Sequence, residues 1–182
     1  MILTTLIFFV SEHKQNFIPW RATGIYGYPQ HNNKFLTCSL ISNLSNINQN
    51  SDLLAFGDFN MCNNEKEGGN PIDANLAGCF KDTLNICDLQ DLGYQGDPYT
   101  WQTIMRLTFI QSRLVRFLAT SGWIQCFPNF INKHLLKYKS DHCPILLEFS
   151  PFFHGINVYK NTKKIEQVWL TNDNHINIVD NV

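Results

Sequence analysis

The chain has 182 residues, 44% of them hydrophobic and 16% charged, with a net charge of −1. That length suits one domain with a sizeable core, and the near-neutral balance excludes a polycation that would coat nucleic acid over its whole surface. The six cysteines (Cys38, Cys62, Cys79, Cys87, Cys126 and Cys143) form neither a Cys-x-x-Cys pair nor a zinc spacing with histidine. They read as reduced intracellular thiols used as small apolar residues.

In chain order, Met1 to Val10 is apolar but lacks a basic flank and a cleavage site. It is far too short to cross a bilayer, so no membrane or targeting role is assigned to it. A first strand is expected near Ile2 to Val10 and a second near Trp20 to Gly27, joined through the polar Ser11 to Asn16 stretch. Leu36, Leu40, Leu44 and Ile47 repeat at helical spacing, which predicts a helix over Asn33 to Asn48. Leu53 to Gly57 reads as a buried strand, and Glu65 to Asn70, with Gly68 and Gly69, as a loop. Leu76, Phe80, Leu84 and Cys87 predict a second helix, ended by the Asp88 to Gly96 segment. Tyr99 to Trp101, Phe109 to Leu118, Phe130 to Tyr138 and Ile145 to Phe149 read as strands, with a turn toward helix near Trp123. Beyond Pro151 the chain becomes polar and rich in asparagine. The expected division is therefore residues 1–150 as the domain and 151–182 as a polar tail or linker.

Two short polar motifs sit at strand ends: Gly57-Asp58-Phe59-Asn60 and Ser140-Asp141-His142. A buried strand that stops at a carboxylate holds that group at the rim of a sheet, rigid and accessible. Two acids, an amide and an imidazole on one rim suit a hard divalent cation and hydrolysis of a phosphate ester. Charge is also segregated. Acids dominate Asp52 to Asp97, whereas Arg106 to Lys139 contains only basic charges: Arg106, Arg113, Arg116, Lys133, Lys137 and Lys139. Such a pairing could hold a cation beside a polyanion, or simply be two solvated faces.

Six segments then occur in one order: Trp20 to Pro29 with Tyr26-Gly27-Tyr28-Pro29, Gly57-Asp58-Phe59-Asn60, Glu65-Lys66-Glu67-Gly68-Gly69, Tyr99-Thr100-Trp101, Arg113-Leu114, and Ser140 to Ile145. In this order they resemble the endonuclease/exonuclease/phosphatase superfamily. More narrowly, they resemble the apurinic-type endonuclease domain of plant-type LINE (non-LTR) retrotransposons. Ile165 to Leu170 is similar to the segment leading from that domain toward the reverse transcriptase. The resemblance implies an α/β (α+β) fold, a four-layer sandwich of two mostly antiparallel sheets flanked by helices, here incomplete, with its first strands missing. It implies Mg²⁺- or Mn²⁺-dependent cleavage of DNA phosphodiesters in the nucleus or cytoplasm.

By that resemblance Asp58 orients or deprotonates the attacking water and also faces the metal. Asn60 holds the water and a phosphate oxygen, Tyr26 contacts the phosphate, Asp141 ligates Mg²⁺, and His142 stabilises the scissile phosphate or moves a proton. Arg113 and Arg116 could reach phosphates or form a solvated strand edge, and Trp101 could stack on a base or belong to the core. His134 reads as a surface or satisfied core histidine.

Departures from the pattern are equally specific. The family's early asparagine and metal-binding glutamate have no counterpart, since Glu12 is the sole acid upstream and lies in a polar turn. Arg-Leu-Asp-Arg is here Arg113-Leu114-Val115-Arg116, so His142 lacks its orienting carboxylate. Gln102 and Thr103 replace the asparagine after Thr-Trp. The expectation is a truncated, catalytically impaired endonuclease-like domain, with an unpaired sheet edge through which copies could self-associate. An inert nucleic-acid-binding remnant and a phosphatase of the same superfamily are the alternatives.

Overall fold

A computed structural model describes residues 6–10 (backbone only), 20–47 and 51–150 of the chain. The expected turn at Ser11 to Asn16, Glu12, the tail beyond Pro151 and the Ile165 to Leu170 segment lie outside the described residues.

The centre is a five-stranded sheet. In chain order its strands are β1 (Leu6–Val10), β2 (Trp20–Tyr26), β3 (Asp52–Asp58), β5 (Leu89–Asp91) and β8 (Val115–Thr120), and their spatial order is β1-β2-β3-β8-β5. Only the β2–β3 pair is parallel, as its helical crossover requires; the other three pairings are antiparallel. β1, the strand expected near Ile2 to Val10, pairs along β2 from Leu6↔Gly24 to Val10↔Trp20 and is the outer strand of the sheet.

Alternation along β2 sorts its residues between two cores. Ile25 joins Leu53, Ala55 and Leu118 beneath the helices α1 (Phe35–Asn46) and α2 (Ala74–Ile86), which bring Cys38, Ile41, Leu44, Phe80 and Leu84. The buried stripe of α1 centres on Ile41, with Leu40 at its margin and Ile47 exposed, one position off the leucine repeat. Asp73 starts α2 by accepting the amides of Asn75 (3.0 Å) and Leu76 (3.2 Å). Arg21 is buried at the end of α1, where Nη2 donates to the Leu44 carbonyl at 2.5 Å, a cation set against the negative end of the helix.

Trp20 points the other way. With Leu54, Phe117, Trp123 and Phe127 it forms a second core, covered by the short α3 (Ser121–Cys126) and by a two-stranded sheet, β9 (Asn129–His134) with β10 (Ile145–Ser150). Trp123 lies 4.8 Å from Phe127, and Phe127 lies 5.1 Å from Phe149, so this core is largely aromatic. The described layers therefore run helices, sheet, smaller sheet: the α/β sandwich with mostly antiparallel pairing that the sequence leads one to expect.

Four segments differ from the sequence reading. The stretch expected as one strand over Phe109 to Leu118 is two, β7 (Thr108–Ser112) and β8, broken at Arg113-Leu114 and belonging to different sheets. β7 forms a hairpin with β6 (Trp101–Met105) through Arg106 and Leu107, both in left-handed conformation, and β4 (Lys66–Glu67) adds to its edge inside the expected loop. The Asp88 to Gly96 segment contains β5, and the strand expected to reach Tyr138 ends at His134. Among the described residues no helix is long and apolar enough to cross a membrane.

Candidate active site

Parallel pairing of β2 and β3 places Tyr26 beside Asp58, and the antiparallel β8 puts Val115 opposite Asp58. Gly57 makes this close approach possible: at φ +128 an added Cβ would sit 2.2 Å from the Ile25 carbonyl oxygen. Just past the strand, Asn60 adopts a left-handed φ of 52 and is held from several directions. Its amide donates to Asp58 Oδ1 (2.9 Å), its side-chain nitrogen donates to the Gly27 carbonyl (3.0 Å), and its carbonyl accepts from Lys34 Nζ (2.6 Å).

The second motif arrives from the far side. The Trp101 indole donates to Asp141 Oδ2 at 3.1 Å, Trp101 bridges His142 in antiparallel fashion, and the Ser140 hydroxyl accepts the His142 amide at 3.1 Å. His142 Nε2 then faces Asp58 Oδ2 at 3.8 Å. Burial pushes the Asp58 carboxyl above the usual range, while the Asn60 amide, His142 and Lys34 oppose the shift. Burial also lowers Lys34. Asp58, Asn60, Asp141, His142, Trp101 and Tyr26 all line one open groove of about 940 Å³, with Lys34, Lys66 and Arg106 on its walls. Tyr26 is 43% exposed there. A cavity of about 600 Å³ lined by Arg21, Ser45, Asp52 and Asp88 holds none of these residues.

Two expectations need correction. Arg113 and Arg116 are 3% and 1% exposed, out of reach of phosphates or solvent. Arg113 binds Asp91 (2.6 and 2.9 Å) and Glu65 (3.2 Å), while Arg116 binds Asp91 (2.9 Å) and Glu65 (3.3 Å). Two arginines and two acids make a closed network, so Glu65 is a structural brace rather than a surface loop residue. The basic run Arg106 to Lys139 therefore does not form one strip: Lys133 pairs with Glu148, and only Arg106 of the run lines the groove. Trp101 is half-buried, neither core nor fully free, with its N–H committed to Asp141. His134 is buried, with Nδ1 2.6 Å from the Asp97 carbonyl and its ring stacked on Tyr94 at 4.6 Å.

Two further residues matter that the sequence reading left without a role. Lys34 supports Asn60. Thr100 is fully buried, and its Oγ1 accepts the Leu114 and Val115 amides at 2.8 and 2.9 Å, while its carbonyl accepts the Cys143 amide at 2.8 Å. One threonine thus ties the hairpin, the start of β8 and the Ser-Asp-His loop together. Its place inside Tyr99-Thr100-Trp101 was the available signal.

Among the described residues no three His, Cys, Asp or Glu side chains converge as a metal cage. The donor chemistry that remains, two carboxylates on a polar groove, is of the kind Mg²⁺ uses when waters and a phosphate fill the other positions. Asp58 and Asp141 are the residues that could hold such an ion; their carboxylates also accept from the Asn60 amide and the Trp101 indole.

No family profile and no curated protein sequence matches this chain. Solved structures do. The endonuclease domain of TRAS1, a telomere-specific non-LTR retrotransposon, superimposes with a TM-score of 0.55 at 17% identity, over 83% of this chain and 70% of that one. A 3′–5′ exonuclease (NExo) from Neisseria meningitidis gives 0.53 at 17% identity, over 71% and 61%. Danio rerio TDP2, complexed with single-strand DNA product, gives 0.51 at 15% identity, over 82% and 62%. At these identities the likeness shows the fold. The chain spans 61–62% of the length of the latter two.

Proposed function

We propose that this chain, whose fold is of the endonuclease/exonuclease/phosphatase type, is a LINE-type endonuclease domain that acts on DNA phosphodiesters with impaired turnover. The observation that carries the reading is the pairing of Asp58 with His142 at 3.8 Å on a groove walled by Lys34, Lys66 and Arg106. A carboxylate raised by burial is a stronger proton acceptor than an exposed one. Asp58, in its deprotonated form, takes the proton of a water that Asn60 helps to place. The water oxygen attacks phosphorus, the bond from phosphorus to the leaving oxygen breaks, and the leaving oxygen takes a proton from the solvent that fills the open groove. His142 and Tyr26 face the phosphate oxygens, and hydrogen bonds from them offset charge developing there. Mg²⁺ bound with the substrate would supply further charge neutralisation.

Impairment follows from Val115. Opposite Asp58 in the strand pair, its side chain offers the site no hydrogen-bond acceptor, so among the described residues His142 is oriented by Asp58, Ser140 and its bridge to Trp101. The TRAS1 likeness and the six ordered motifs support the DNA reading over a phosphatase acting on small esters.

The test is nicking of supercoiled plasmid by the purified protein with Mg²⁺, beside an EDTA control. Slow, Mg²⁺-dependent nicking is expected, lost in Asp58→Ala and increased by about 10-fold or more in Val115→Asp, the usual scale for restoring an orienting partner. Folded wild-type protein and folded Val115→Asp that both leave the plasmid intact would sink the reading. DNA binding without cleavage would then favour the inert remnant.

A further inference from the structure

Between β9 and β10 the chain leaves the sheet and returns as a loop whose neck is closed by the Leu135 amide donating to the Pro144 carbonyl at 2.9 Å. At its tip Leu136 is 93% and Tyr138 76% exposed. Exposed apolar side chains grouped on one loop mark an interaction site more often than a stray surface residue does. Lys139, in left-handed conformation at φ 49, sets its Nζ 5.2 Å from the centre of the Tyr138 ring, and Lys137 lies on the other side in sequence. No acid occurs from Asn129 to Ser140. An aromatic ring in water, bearing a cation and flanked by another, matches a polyanion carrying flat apolar groups. An acidic protein would satisfy the lysines but not the open ring face, and a membrane would need a larger apolar area.

Placement ties this loop to the candidate site. Tyr138 stands four positions before His142, so their Cα atoms lie within about 14 Å even if the chain between them is fully extended. At about 3.4 Å of rise per nucleotide, that is a few nucleotides along a strand. Stacking on the ring demands a base not already stacked in a duplex.

We propose that Tyr138 is a stacking platform for an unpaired base in single-stranded DNA, a few nucleotides from the phosphate at His142, and that Lys139 contacts an adjoining phosphate. The inference rests on the DNA reading above, but binding tests it apart from cleavage. Anisotropy of a labelled oligothymidylate in EDTA, over a range of salt, is compared for wild type, Tyr138→Ala, Tyr138→Phe and Lys139→Ala. Exposure of both side chains means these variants should fold, which far-UV circular dichroism checks. Tyr138→Ala is expected to weaken binding by about 5- to 150-fold without changing the salt slope, and Tyr138→Phe to retain it. Lys139→Ala is expected to reduce the slope of log K against log salt by about 0.7. Wild-type affinity in Tyr138→Ala overturns the platform. Failure of wild type to bind single strands while still nicking plasmid overturns it too and leaves the endonuclease reading intact; failure of both removes the two together.

Discussion

Removing Asp91 should be the most damaging single change outside the cores. Its two oxygens accept three bonds from guanidiniums, from Arg113 at 2.6 and 2.9 Å and from Arg116 at 2.9 Å, and a fourth from the exposed Gly93 amide at 2.9 Å. Both guanidiniums are more than nine-tenths buried, and the other acid facing them, Glu65, sits farther off at 3.2 and 3.3 Å. In Asp91→Ala two buried cations share one carboxylate, leaving about one uncompensated charge. Breaking a buried pair in this way costs about 3–5 kcal/mol. For a chain of this size that corresponds to roughly 6–20 °C in Tm. Urea unfolding followed by tryptophan fluorescence measures it, with thermal melts as a second readout. The exposed Lys133–Glu148 pair, at 2.5 Å, is the control. Despite its shorter contact, Lys133→Ala should cost less than about 1 kcal/mol, because water screens it. An Asp91→Ala loss as small as the control's would refute the reasoning, since it would mean that the arginines are not confined as the burial indicates.

Three other outcomes are expected. The Arg116 and Arg113 charges hold Glu65 below the usual glutamate range against the opposing effect of burial. Its contribution is full above the ordinary glutamate pKa and is lost as pH falls through the lowered value. Glu65→Gln should therefore flatten the acid limb of stability against pH, which urea titrations from neutral to acid would show. Thr100→Val leaves the Leu114 and Val115 amides without an acceptor and should cost about 1–3 kcal/mol for each bond lost, read by the same unfolding assay. Asp58 carries the opposite cost to Glu65, since burial raises its pKa and its ionised form weakens the fold as pH rises through that value. Asp58→Asn should raise Tm at neutral pH while abolishing nicking, and an unchanged or lower Tm would contradict the burial argument.

Much of the site was legible in the chain because its two motifs lie at strand ends, where local sequence fixes which side chain reaches the rim. The strands expected near Trp20 to Gly27 and over Leu53 to Gly57, the latter an apolar run before Asp58, are β2 and β3. The α1 and α2 stripes were equally local, although the exact face of α1 turned on what the sheet offered Ile41. The order of six short motifs carries the resemblance to the endonuclease/exonuclease/phosphatase superfamily, and the α/β sandwich that this resemblance implies is the fold observed.

What only the tertiary structure decided was the fate of charge and the joining of sheets. Arg113 and Arg116 look in sequence like a basic stretch available to phosphates. Their partners Glu65 and Asp91 stand 22 to 51 positions away, and nothing local shows that the four will close on one another. The break at Arg113-Leu114, which divides one apolar run between two sheets, depends on a hydroxyl from Thr100 that accepts both following amides. Sequence periodicity reports which face of a strand is apolar. Long-range pairing of buried charge and of buried amides depends instead on desolvation, which penalises every unpaired group and so selects the one assembly that satisfies them all.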